Sequence, residues 1–240
     1  MKKPIAGMDF VQGEMILADK PYGWTSFAVV SQWKKWTKAK TGHAGTLDPL
    51  ASGLMILCTG SWTKKLGTLL GLPKEYTGII RLGAVTPTYD LESVPEPGGP
   101  WQQLTHANIE QAVQTLRGDI IQYPPAHSAV KQDGKPLYEL ARKGHVVELK
   151  PRQATVSVFE TDLSELPEIR FRIQCSSGTY IRSLANDLGK ILGCGAYLQS
   201  LRRTSIGDYR IEDAFTLEEG KRFFGSAMNA RIIVPKAIAY

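Results

Sequence analysis

No apolar run in the 240-residue chain approaches the ~18–20 residues that a membrane-spanning helix needs. The first residues carry Lys2 and Lys3, but Asp9, Gln12 and Glu14 break up the stretch behind them. No signal peptide is expected, and a cytoplasmic protein is. Only three cysteines occur, Cys58, Cys175 and Cys194. They are odd in number and far apart, which excludes a disulfide framework and argues against a zinc site. None of the four histidines, His43, His106, His127 and His145, forms an H-x-x-x-H pair or lies near a cysteine at ligand spacing. The nucleophile elbow G-x-S-x-G, the phosphate loop G-x-x-x-x-G-K-[ST] and the dinucleotide signature G-x-G-x-x-G are all missing. A serine hydrolase, a P-loop enzyme and a dinucleotide-binding fold are thereby disfavoured. If the chain is an enzyme, its own side chains are expected to do the chemistry, without metal or cofactor. No internal repeat or low-complexity tract stands out, and no heptads suggest a coiled coil. The sequence is silent on oligomeric state, and a monomer is the expectation.

Positive charge is in excess, with 29 Lys and Arg against 23 Asp and Glu, a net of +6. That balance favours a polyanionic partner such as nucleic acid, although charge alone does not show clustering. The apolar fraction of 42% is enough for a globular core. Met15 to Asp19 reads as a buried strand, and Thr25 or Ser26 as the N-cap of a helix with Val29, Trp33 and Trp36 on one face. Residues 41–49 read as a loop, followed by a mostly apolar run from Leu50 to Thr59. Strands are predicted over Tyr76–Leu82, Ala154–Thr161 and Ile169–Cys175. Helices are predicted around Ile109–Leu116, with Gly118 as its stop, and around Ile181–Ile191. Strands and helices do not alternate in βαβ order, so the predicted class is α+β. Pro124 to Arg152 is polar and carries six basic against three acidic side chains.

Three segments have residue types suited to chemistry. In Gly42-His43-Ala44-Gly45-Thr46-Leu47-Asp48-Pro49, an aspartate lies between a glycine-rich loop and a proline. Asp48 is either a presented carboxylate or an ordinary turn or N-cap residue. In Gly178-Thr179-Tyr180-Ile181-Arg182, the arginine falls where a strand gives way to a helix. It is suited to a carboxylate or phosphate partner, or is an exposed helix residue. Tyr76, in Lys74-Glu75-Tyr76, is either a stacking platform for a base or a core aromatic.

These segments, together with Leu17-Ala18-Asp19-Lys20-Pro21, Leu50-Ala51-Ser52-Gly53-Leu54, Pro124 to Lys131 and Leu201-Arg202-Arg203-Thr204, run in an order that resembles the TruB-type tRNA pseudouridine synthases. The resemblance covers about residues 15–206. It implies isomerisation of a T-loop uridine (position 55 in tRNA numbering) to pseudouridine, with no cofactor and no metal. It implies an α+β fold with a central, mostly antiparallel mixed sheet flanked by helices, and an RNA-clasping insertion at about 124–152. Asp48 matches the family's catalytic aspartate and Arg182 the arginine paired with it. Tyr76 matches the tyrosine that stacks on the target base, and His43 a histidine that orders the flipped-out loop. Tyr180 and Leu201 match positions lining the uracil pocket, and Lys20 a basic residue beside it. The insertion would bring Lys131, Lys135, Arg142 and Lys143 to the RNA backbone. His127 departs from the aromatic more usual at its position. The catalytic domain is expected over 1–204, leaving 205–240 as a short tail without the RNA-binding PUA domain that many members carry. An RNA-binding module or tRNA chaperone without turnover, and a synthase acting on another RNA such as rRNA, are the rival expectations.

Overall fold

The computed structural model describes residues 8–126, 131–132, 135–136 and 149–225. By internal contacts the chain divides into two units, one of residues 1–76 and 201–239, the other mainly of 77–200. Strands β4 (Lys74–Leu82) and β12 (Ala196–Ile206) contribute residues to both. Among the described residues, no helix is long and apolar enough to cross a membrane.

The first unit contains β1 (Met15–Lys20), α1 (Ser26–Thr37), β2 (Thr41–His43), β3 (Ala51–Thr59), α2 (Leu66–Gly71), the second half of β12, β13 (Tyr209–Arg210) and α5 (Leu217–Phe224). Strand β3 pairs antiparallel with β1 and β2, and parallel with β12. Covered on both edges and both faces, it reads as a continuous apolar run, and Leu54 to Cys58 are fully buried. Ala44, Leu54, Ile56, Cys58, Ile206 and Ala214 form one core cluster. Helix α1 begins where the sequence indicates. Thr25 is extended and its hydroxyl accepts from the Ala28 amide at 3.0 Å. Trp33 lies edge-on to Trp36 and tilted against Phe215 and Phe224. Ile206, Ala214 and Phe215, beyond residue 204, therefore belong to the core of this unit. Phe215 also exchanges backbone hydrogen bonds with Leu17 and Asp19 of β1.

The second unit orders its strands β12–β4–β11–β10–β7, with β7 at Gly118–Gln122, β10 at Arg152–Glu165 and β11 at Glu168–Cys175. Helices α3 (His106–Thr115) and α4 (Ile181–Ile191) pack against each other, and α3 also against β10. Short antiparallel pairs join β5 (Ala84–Val85) to β6 (Glu96–Pro97) and β8 (Lys131–Gln132) to β9 (Lys135–Pro136). Thr105 and Asn108 form a reciprocal cap that starts α3. The helix stops with Leu116 as its cap, and Gly118, at φ +78°, opens β7 instead of ending the helix itself. Strand β12, eleven residues long, has no counterpart among the predicted strands. Arg203 sits on its buried side, so the alternation of apolar and polar residues is broken there.

Candidate active site

Lys20, His43, Asp48, Tyr76 and Leu201 belong to the first unit, Tyr180 and Arg182 to the second. Of the expected RNA-backbone residues, Lys131 and Lys135 lie in β8 and β9. Arg142, Lys143 and His127 lie outside the described residues.

Asp48 is half-buried in the loop from β2 to β3. Three side chains from three elements hold that loop by its backbone. At its start, the Arg203 guanidinium donates to the Gly45 carbonyl at 3.1 Å and to the Leu54 carbonyl at 2.7 Å. In the middle, the Ser26 hydroxyl accepts from the Leu47 amide at 2.9 Å and donates to the Leu47 carbonyl at 3.0 Å. At its end, the Lys20 ammonium donates to the carbonyls of Pro21, Pro49 and Ala51 at 3.1, 3.2 and 2.5 Å. The Gly23 amide adds a bond to the Pro49 carbonyl at 2.9 Å.

The register explains why two cations meet here. Lys20 of β1 pairs with Gly53 of β3, and Gly53 pairs with Arg203 of β12. Gly53 has φ +110°, and a Cβ on it would run into the Arg203 backbone. Glycine is required both by the backbone angle and by the close approach of β12. Burial pushes the Lys20 ammonium down to about 8; Asp48 opposes that shift, Arg203 reinforces it, and Asp19 opposes it. Burial also lowers the pKa of His43, as does the Arg203 charge, while the Gly45 backbone opposes the shift. His43 faces Leu57 across β2 and β3, and Leu201 is level with Ala51. Tyr76 is buried in β4. Beside it, Glu75 accepts from the Thr204 hydroxyl at 2.8 Å, which ties β4 to β12.

In the second unit Arg182 stands in the first turn of α4, 4% exposed, which replaces the reading of an exposed helix arginine. Its Nε lies 3.6 Å from an Asp90 carboxylate oxygen, and it donates to the Thr88 carbonyl at 3.1 Å. The start of α4 is anchored by β7. The Gln122 amide group donates to the Tyr180 carbonyl at 3.0 Å and accepts from its amide at 2.7 Å, and Ser183 donates to the Tyr123 carbonyl at 2.8 Å. Gln122 thereby gives Tyr180 the two bonds that a neighbouring strand would give. Ser26, Arg203, Gly53, Asp90 and Gln122 are neighbours of the candidate residues to which sequence reasoning gave no site role. Gly53 and Arg203 carried a signal, each inside a motif that bears the resemblance, and Ser26 was singled out only as a candidate N-cap.

Two family models match the chain. The TruB family pseudouridylate synthase N-terminal domain covers residues 34–181, and the tRNA pseudouridylate synthase B C-terminal domain covers 182–226. The tRNA pseudouridine synthase B of Flavobacterium johnsoniae is 46% identical over 217 residues, spanning 87% of this chain and 95% of that protein. Among solved structures, a chain of a Cbf5-Nop10-Gar1 complex is 31% identical with a TM-score of 0.67, covering 90% of this chain and 55% of that one. An H/ACA RNP bound to a substrate RNA containing 2'-deoxyuridine gives 29% identity and a TM-score of 0.66, with 90% and 54% covered. This chain thus spans about half the length of those two solved chains. The chain belongs to the TruB family of pseudouridylate synthases.

Proposed function

We propose that this protein isomerises uridine to pseudouridine in tRNA, at the T-loop position 55, with Asp48 as the catalytic carboxylate. The observation that carries the reading is the Asp48 loop, whose backbone is held at Gly45, Leu47, Pro49 and Ala51 by side chains of β12, α1 and β1. A loop bound at that many points presents one side chain in a fixed place. Relatives that share most of the chain's length are tRNA pseudouridine synthases, which supports the substrate.

The reaction breaks the N1–C1′ bond of the nucleotide and forms a C5–C1′ bond. C5 loses its hydrogen and N1 gains one, so no oxidant, reductant or leaving group is needed. Asp48 acts in its ionised form, on the ribose, on the base or as the acceptor of a ribose proton. Arg182 serves as a substrate-binding cation, its guanidinium 3.6 Å from an Asp90 carboxylate oxygen. The target base must leave the stack before it can react. Tyr76 then stacks on it, Tyr180 and Leu201 line its pocket, and His43 orders the loop it has left. Burial lowers the pKa of His43 and so favours its neutral imidazole, which suits stacking without a buried charge. Residues 124–152, with Lys131, Lys135, Arg142 and Lys143, contact phosphates of the T arm. The protein works as a cytoplasmic monomer.

Mapping pseudouridine in RNA from cells with and without the protein tests this function. The T-loop modification should disappear and rRNA sites should persist. Persistence of the T-loop pseudouridine, with loss at an rRNA site, would contradict the substrate.

A further inference from the structure

We propose that Ser26 and Arg203 are positioning residues for Asp48, fixing the peptide planes on which its carboxylate is carried. The proposal rests on Asp48 being the catalytic carboxylate.

Ser26 is 3% exposed, and its one hydroxyl bonds both polar groups of Leu47. The Leu47 amide belongs to the peptide that enters Leu47, and the Leu47 carbonyl to the peptide that enters Asp48. One side chain therefore fixes two successive peptide planes, the second of which contains the nitrogen of Asp48. Both bonds have ordinary hydrogen-bond lengths. Ser26 is not needed to start its helix, because Thr25 is the N-cap.

Arg203 is 1% exposed, and among the described residues its two hydrogen bonds go to backbone carbonyls. Burying a guanidinium against carbonyl oxygens alone is costly, and an apolar side chain of similar volume would fill the space without that cost. What the apolar residue would lack is the fork between Leu54 in β3 and Gly45 in the loop. Gly45 has φ +93°, where the chain turns towards Asp48. The fork pins that turn to the strand. The two residues thus secure the loop from α1 and from β12, opposite the end that Lys20 holds.

A side chain that positions the reacting group changes the rate of the chemical step more than substrate affinity, and a misplacement of about 1 Å costs ~100-fold. The test uses a T-arm stem-loop labelled with tritium at C5 of the target uridine, under single-turnover conditions with enzyme in excess. Ser26→Ala, Arg203→Met, Arg203→Lys and Asp48→Asn are compared in the full chain, with stem-loop affinity measured alongside. For Ser26→Ala, a rate constant lower by ~10–100-fold, reaching full amplitude, is expected, with affinity within about threefold. Arg203→Met should lose at least as much, and Arg203→Lys, which keeps one donor, should recover part of it. A wild-type rate constant in Ser26→Ala overturns the proposal. So does a loss confined to the amplitude, which reports fewer folded molecules and a merely structural role. If Arg203→Met does not fold, Ser26→Ala decides alone. Asp48→Asn separates the two levels. If it is inactive while Ser26→Ala reacts normally, only the positioning proposal fails; if it is active, the reading of Asp48 fails with it.

Discussion

Lys20 is the residue with the clearest pH signature. Burial, with Arg203 across Gly53, pushes its ammonium from 10.5 to about 8, against the pull of Asp48 and Asp19. Below pH 8 the folded and unfolded chains both hold the proton, and folding bears the full cost of burying it. Between 8 and 10.5 the unfolded chain binds more protons, so this group makes the protein more stable as pH rises. Wild type should therefore gain on Lys20→Met by roughly 1.6 kcal/mol between pH 8 and 9.5, since the slope starts near half of the full value of about 1.4 kcal/mol per unit and reaches it only above pH 8. Urea unfolding at the two pH values measures the gain, and parallel pH dependence of the two proteins would contradict it. Tyr76 is tested by chemistry instead of charge. Stacking uses the ring, so Tyr76→Phe should keep wild-type RNA affinity, while Tyr76→Leu should lose ~1–3 kcal/mol. Equal activity of Tyr76→Leu and wild type would remove the stacking role.

Among the elements, the meeting of β1, β3 and β12 carries the site. Gly53 lies between Lys20 and Arg203, at φ +110° and against the Arg203 backbone. Gly53→Ala combines backbone strain with a clash that no side-chain movement relieves, and should cost about 3 kcal/mol or more. A change in Tm within the error of wild type would show that β12 has room to move away. The same place marks the limit of what the sequence reveals. Strand β1, helix α1 and strand β11 are legible because apolar spacing and a threonine cap declare them. Strand β12 is not, because it carries a buried arginine whose partners are carbonyls brought in by folding. Asp48 is ambiguous from its neighbours alone, since Asp-Pro also makes ordinary turns. Its setting depends on Ser26 and Lys20, more than twenty residues away in sequence. Arg182 looks like any arginine on a helix until Asp90 and Thr88, more than ninety residues earlier, bury it.

On the scale of the whole molecule, net charge and the basic segment at 124–152 point to phosphate as the main source of affinity. Removing charge at Lys131, Lys135, Arg142 and Lys143 should flatten the salt dependence of binding by ~0.7–0.9 per lost phosphate contact. It should raise KM more than it lowers kcat. An isolated T-arm stem-loop should react with a kcat/KM near that of whole tRNA. A stem-loop worse by more than about a hundredfold, roughly 2.7 kcal/mol of transition-state stabilisation, would show that distant tRNA contacts matter. The central claim, that the Asp48 carboxylate performs the isomerisation on RNA bound by other residues, is tested most directly by Asp48→Asn. The measurement is single-turnover release of tritium from C5 of the T-loop uridine, with affinity determined on the same stem-loop. The account predicts no release, with affinity within about tenfold of wild type, ~1.4 kcal/mol. Substantial release by the asparagine variant would contradict it.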